Sequence, residues 1–279
     1  MVAVDDENMK KSMVDFENAL KNNDKAKIVE ISTSQPHARW TFKTEKPEQA
    51  AVTIDAVPHP GGWSFPMAPP GFIGLAAGIK SKYSVLAIQN LYASGADLDG
   101  TTSENVASIH LAARQQNHEA VECLINLGAN LEAESQTGKT AIQFAAWMGA
   151  ETGDTRCLKL LLEGGANVNA KNSSGRTAIH WALFGVDPEA LELLLKHPSV
   201  NKDAKYLEYS DKNSSTNLTV VDQFNATQER YVEYGEEGRA EMLELLRQNG
   251  LSPVQPTERP EGGKYPLLTY ASTKVRCRL

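Results

Sequence analysis

Between Ala107 and Asn201 the chain says nearly the same thing three times. Ala107-Ser-Ile-His-Leu-Ala-Ala113 is followed by Val121-Glu-Cys-Leu-Ile125 and then by Gly128-Ala-Asn-Leu-Glu-Ala133. Thr140-Ala-Ile-Gln-Phe-Ala-Ala146 is followed by Leu158-Lys-Leu-Leu-Leu162 and Gly165-Ala-Asn-Val-Asn-Ala170. Thr177-Ala-Ile-His-Trp-Ala-Leu183 is followed by Leu191-Glu-Leu-Leu-Leu195 and His197-Pro-Ser-Val-Asn201. Ile109 and Ile142 stand 33 residues apart, and Ile142 and Ile179 stand 37 apart. The four additional residues fall between the two helices of the middle unit. Self-similarity at this period points to a stack of small units rather than to one closed core.

One unit can be read from its residues alone. Ile109, Leu111 and Ala112 mark the packed side of a short first helix. Val121, Leu124 and Ile125 sit at i, i+3 and i+4, the apolar stripe of a second helix. Gly128 and Gly165 follow within three residues, where a helix needs a residue that tolerates positive φ in order to stop. Ala112, Ala113, Ala145, Ala146 and Ala182 let neighbouring helices approach closely. A two-helix unit of this kind cannot bury its apolar side alone, so it must stack.

Gly138-Lys-Thr-Ala-Ile-Gln-Phe-Ala-Ala146 and Gly175-Arg-Thr-Ala-Ile-His-Trp-Ala-Leu183 resemble the ankyrin repeat. That family's pattern is Gly-x-Thr-Pro-Leu-His-Leu-Ala-Ala, a Leu-rich second helix, and Gly-Ala-Asp-Val-Asn-Ala. Ser108, Ala141 and Ala178 stand where the pattern has Pro, which pre-sets φ at a helix start, and Gln143 stands where it has His. The resemblance implies an all-α fold, an ankyrin-repeat solenoid of stacked helix-turn-helix units. It also implies that His110 and His180 use their rings to tie one turn to the next. In such a unit the residue before the Thr and the two after the Ala-Ala pair project into a binding groove. Mapped here, the protein-binding positions are Lys139, Arg176, Arg114, Gln115, Trp147, Met148 and Phe184, with Gln136 and Ser173 at the hairpin tips. Trp and Arg dominate binding hot spots, and Met lets a surface adapt. The alternative is that the expansion within Gly149 to Gly153 folds over Trp147 and buries it.

Around the array the organisation changes. Residues 1–33 read as an N-terminal helical capping unit, with Phe16, Ala19 and Leu20 on one stripe and Ile28, Val29 and Ile31 on another. Asp24 is the expected N-cap of the second helix. Residues 34–69 break the pattern. His37 to Lys43 and Ala50 to Val57 are β-branched or aromatic runs that suit a small hairpin insert, and any strand is expected within 38–57. The array spans 70–251, opening on the degenerate repeat Phe72 to Leu98 and closing on a final one. In that last repeat Thr219 to Phe224 and Leu243 to Leu246 supply the helices, after a polar stretch from Lys202 to Asn217. Residues 252–279 form an irregular tail.

Composition removes several functions. A net charge of −7 leaves no basic footprint for nucleic acid or anionic lipid. No apolar run of about 18 residues offers a membrane span. The start, Met1-Val-Ala-Val-Asp-Asp-Glu, lacks the layout of a signal peptide. Cys123, Cys157 and Cys277 are too few and too scattered for a disulfide framework, and the first two read as buried thiols. The expected setting is therefore the cytosol, or a host cytosol if the chain is a secreted bacterial effector, and the expected state is monomeric. The chain lacks a Gly-rich phosphate loop, a Gly-x-Ser-x-Gly elbow and a His-Glu-x-x-His pair. His37 and His59 have no Cys or paired carboxylates at metal spacing. No catalytic residue, cofactor or metal is expected. The reading is a non-catalytic module that recognises a protein partner along the concave face of the array. The alternative is an enzyme or host-modifying effector whose activity lies in the N-terminal insert or the tail.

Overall fold

A computed structural model describes residues 6–34, 71–102, 104–211, 214–226 and 236–251. The insert expected to form a hairpin within 38–57 and the tail from 252 lie outside the described residues. The chain divides into two compact units, one running to Gln136 and the other from Thr137. That boundary falls inside the stretch the sequence reads as one array.

The first unit is a double row of helices. It contains α1 (Asp6–Lys21), α2 (Lys25–Ser34), α3 (Phe72–Gly78), α4 (Ser84–Ala93), α5 (Ser108–Arg114) and α6 (His118–Asn126). The helices pair as α1 with α2, α3 with α4 and α5 with α6. Then α3 packs between α1 and α5, and α4 between α2 and α6. Asp24 caps α2 as expected, its Oδ1 accepting the Lys27 N–H at 3.1 Å. Phe16 and Phe72 meet edge to face at 5.3 Å, a favoured geometry for ring quadrupoles. Leu20, Ile28, Ile88, Ile109 and Leu124 are fully buried in the same unit.

The second unit continues the two-helix pattern and adds a sheet. It holds α7 (Ala141–Thr152), α8 (Arg156–Glu163), α9 (Ala178–Gly185), α10 (Pro188–Lys196), β1 (Lys205–Asp211), β2 (Ser214–Thr219), α11 (Val220–Ala226) and α12 (Glu236–Gln248). First helices again pack on first helices, α7 on α9 and α9 on α11, while α10 packs on α12. Ile142, Leu158, Leu161, Ile179 and Leu191 fill the space between the rows.

Two expectations are corrected here. Strand is present at 205–211 and 214–219, in a stretch the sequence reads largely as a polar connection. β1 and β2 pair antiparallel with Tyr206 opposite Leu218, and both of those side chains are buried. This apolar cross-strand pair favours the observed register, because slipping one strand by one residue would turn its member of the pair outward. The second correction concerns the four additional residues of the middle repeat, which lengthen α7 rather than the loop behind it. Nothing between Trp147 and Thr152 stops a helix, and α7 ends only at Gly153, whose φ of 68° is left-handed.

Buried hydrogen bonds wire α5 and α7 to the turn behind them, and α9 to its own start. His110 Nδ1 accepts the Ala107 N–H at 2.9 Å, which leaves Nε2 protonated to donate to the Ala133 carbonyl at 2.8 Å. His180 Nδ1 accepts the Thr177 N–H at 3.1 Å. Gln143 does the work with an amide, its Nε2 donating to the carbonyls of Ala170 at 2.6 Å and Arg176 at 2.8 Å. Its Oε1 has no partner among the described residues. A ring at this position would give up the bond to Arg176 and gain the Thr140 N–H as donor. Gln143→His is therefore expected to change stability by no more than about 1 kcal/mol in urea denaturation, the size of one net hydrogen bond. A loss of several kcal/mol would contradict this.

Val186 caps α9 with φ 58° and ψ 48°, left-handed backbone that a β-branched residue rarely adopts. Such strain costs of order 1–3 kcal/mol, and glycine relieves it while losing roughly 0.5–1 kcal/mol to chain entropy. Val186→Gly should stabilise the chain by about 1 kcal/mol. A lower melting temperature would show that the valine methyls, which reach toward Gly238 of α12, matter more than the strain.

Candidate protein-interaction surface

The turns between repeats set the edge of the site. Gly138 must be glycine, since its φ is 69° and a Cβ there would lie 2.8 Å from the Ser173 amide nitrogen. That close approach lets Ser173 N–H donate to the Thr137 carbonyl at 3.0 Å. Asn172 folds its own turn, with Oδ1 accepting from the N–H of Ser174 at 3.1 Å and of Arg176 at 2.8 Å. Leu207 N–H donates to the Ser174 carbonyl at 2.7 Å, so β1 is added as the next turn in the row.

On this edge cations and aromatic rings alternate. Lys139 Nζ stands 4.3 Å from the Trp181 ring centroid, 4.6 Å from that of Trp147 and 5.6 Å from that of Phe144. The Arg176 guanidinium lies 5.6 Å from the Trp181 centroid and 4.5 Å from that of Tyr206. Trp147 and Trp181 are 5.6 Å apart, and Phe184 meets Trp181 edge-on at 6.0 Å. Each cation over a ring gains about 0.5–2 kcal/mol, the more as water is removed. Tyr206 is held from behind by an edge contact with His180 at 4.9 Å and by its hydroxyl's hydrogen bond to Gln223 Oε1.

Lys139, Trp147 and Phe184 are half-buried and border this cluster, and Ser173 is exposed at the turn beside it. Two positions expected in the groove are not presented to it. Met148 is 5% exposed, because the extra turn of α7 carries it into the helix interface. Arg176 is 9% exposed, enclosed between Trp181 and Tyr206, so its charge acts from inside the cluster. Arg114, Gln115 and Gln136 belong to the first unit. There Arg114 and Gln115 are half-buried at the end of α5, and Gln136 is exposed with its N–H donating to Glu104 O at 2.8 Å.

The residue that joins the cluster, Trp181, is not among the groove positions mapped from the sequence. It is core, at 5% exposure, yet its ring touches the half-exposed Trp147 and Phe184. Tyr206 lies in the stretch read as polar, where the only hint is the Tyr206-Leu-Glu-Tyr209 run.

Electrostatics around the turn are those of a buried base in a positive field. Burial, then the Arg176 charge, depresses His180 to about 3; the Ala204 carbonyl opposes this, and Lys171 adds to it. Burial likewise lowers His110 to about 4 against the pull of the Ala133 carbonyl. Asp187 is pushed up, first by burial, despite accepting the Ala190 N–H at 3.0 Å. Cys123 and Cys157 are buried and joined in no disulfide. Among the described residues no group of three or more His, Cys, Asp or Glu is placed to hold a metal ion. No helix among them is long and apolar enough to cross a membrane.

Paired helices stacked in register, with a turn at each end tied to the next, define a helical-repeat protein. The family model for ankyrin repeats matches residues 75–171 and 149–206, in three copies. The chain is an ankyrin-repeat protein, and those repeats are a protein–protein interaction module. No curated protein matches the chain in a whole-sequence comparison.

Proposed function

We propose that the chain is a non-catalytic adaptor or inhibitor that holds a protein partner on the turn and first-helix side of its repeats, acting as a monomer in the cytosol. The observation that carries this is the cluster of Lys139, Trp147, Trp181, Arg176 and Phe184. Aromatic and cationic groups of this kind form the centres of interfaces, and here they are fixed in advance by mutual contact, which lowers the ordering cost of binding. Affinity capture on the immobilised full chain, followed by mass spectrometry, would name the partner. Against that partner, Trp147→Ala with Phe184→Ala is expected to cost at least about 2 kcal/mol in calorimetric affinity, the range of a hot-spot truncation. The melting temperature should move far less than the affinity. A double variant that melts much lower yet binds as before would assign both rings to the core and end this reading.

A further inference from the structure

The second unit segregates its charges, and this deepens the reading above by naming the chemistry of what docks. From Thr137 to Ala150, and again from Gly164 to Val186, the sequence has no Asp or Glu, while Lys139, Lys171 and Arg176 fall within these stretches. They are the stretches that build the turns and the first helices α7 and α9. Carboxylates begin where those stretches end. Glu151 and Asp154 lie at and after the end of α7, Glu163 closes α8, and Asp187, Glu189 and Glu192 cap or ride on α10. Within these two stretches a chain of net charge −7 thus carries cations without carboxylates beside its aromatic cluster, while Glu208 and Asp211 follow on β1 and Asp222 on α11.

These stretches are organised for contact. Lys139 is held against three rings, and Lys171 is exposed one residue before the Asn172 turn. The positive field reaches inward as well, since both Arg176 and Lys171 disfavour a proton on His180. Trp147 and Phe184, half-buried, supply apolar surface beside the cations. Interfaces select partners by complementary potential, and a charge already fixed on an aromatic face loses little entropy on pairing.

Resting on the protein-partner reading, we propose that the turn and first-helix side of the second unit docks an acidic polypeptide segment bearing an apolar or aromatic side chain. Its carboxylates meet Lys139 and Lys171, and its apolar group meets Trp147 and Phe184. An acidic peptide fits better than a nucleic acid because the cationic stretch is short and the rest of the chain would repel a long polyanion.

The test uses the full chain and fluorescein-labelled peptides read by anisotropy: a Glu- and Leu-rich peptide with one Trp, and the same peptide with Gln or Lys for Glu. At low salt the Glu peptide is expected to bind at least roughly ten-fold tighter than either counterpart, with the margin shrinking as salt is added. Lys171→Glu and, separately, Lys139→Gln should each weaken it several-fold. Lys171 is exposed, so its variant remains informative even if Lys139→Gln disturbs the aromatic packing. Equal binding of the Glu and Gln peptides, lost in Trp147→Ala, would overturn the acidic partner while leaving the protein-docking surface standing. No binding of the Glu peptide, or binding indifferent to both lysine variants, would overturn the proposal. A labelled oligothymidylate that binds more tightly than the Glu peptide would overturn both the proposal and the protein-partner reading.

Discussion

Acidifying the wild-type chain from about pH 7.5 to about pH 4.5 should remove about 5 kcal/mol of stability through two histidines alone. Burial holds His110 at about 4 and His180 at about 3, against 6.5 for a free ring. For a base whose folded value is depressed, the unfolded chain takes up the proton first. Stability from these rings is therefore complete above about pH 6.5 and is lost as pH falls through the folded values. Each ring forfeits nearly two pH units at about 1.36 kcal/mol per unit before the lower pH is reached. Asp187, pushed up by burial, works in the opposite sense, because its carboxyl is easier to protonate folded than unfolded. It offsets part of the loss. The chain contains its own control in Gln143, which fills the same place without titrating. The His110→Gln, His180→Gln variant should match wild type to within about 2 kcal/mol at neutral pH, two net hydrogen bonds at most, and lose much less on acidification. Urea titrations across the pH range would decide it. A variant whose denaturation midpoint falls as steeply as that of wild type would place the acid sensitivity in other groups.

Adding one methyl at Gly185 should be among the most damaging small changes in the second unit. A Cβ there would lie 2.0 Å from the Cβ of Ala150, where α9 crosses α7. Carbon atoms prefer about 3.5–4.0 Å, and neither atom can rotate away because each is bonded directly to backbone. The helices must separate, opening the packing of Trp147 on Trp181 alongside. Overpacking costs typically about 1–3 kcal/mol, and this geometry belongs at the upper end, near 3. Removing the opposing methyl tests the cause. Ala150→Gly alone should cost about 1 kcal/mol of helix propensity. Combined with Gly185→Ala it should recover roughly 2 kcal/mol relative to the sum of the single changes, the coupling expected of residues in direct contact. Additive losses would mean that the close approach is not what Gly185 provides.

Much of this molecule is legible in one dimension. The repeat period sets the paired helices, because each unit's apolar stripe recurs at helical spacing and has nothing of its own to pack on. Positions 110 and 143 are recognisable as ties between helix and turn because each lies at the same place in the repeated pattern and bonds the residue that closes its own unit, Ala133 or Ala170. The site was only partly legible. Trp147 and Phe184 could be placed beside the turns by counting from the Ala pairs. The same counting put Met148 and Arg176 there too, and both are buried.

What the counting lacks is the neighbour. Whether Arg176 faces water depends on Tyr206, thirty residues on, and Tyr206 is brought in by a strand pair that a polar stretch conceals. Whether Met148 faces water depends on where α7 ends, which Gly153 decides by accepting a left-handed φ. The division between Gln136 and Thr137 also follows from contacts and leaves no mark on composition. The sequence alone therefore determined the repeat, the helices and the hydrogen-bonding ties, all of which are local or recur once per unit. Only the tertiary structure decided which side chains reach the surface, because exposure is a property of what packs alongside, and those neighbours come from distant repeats.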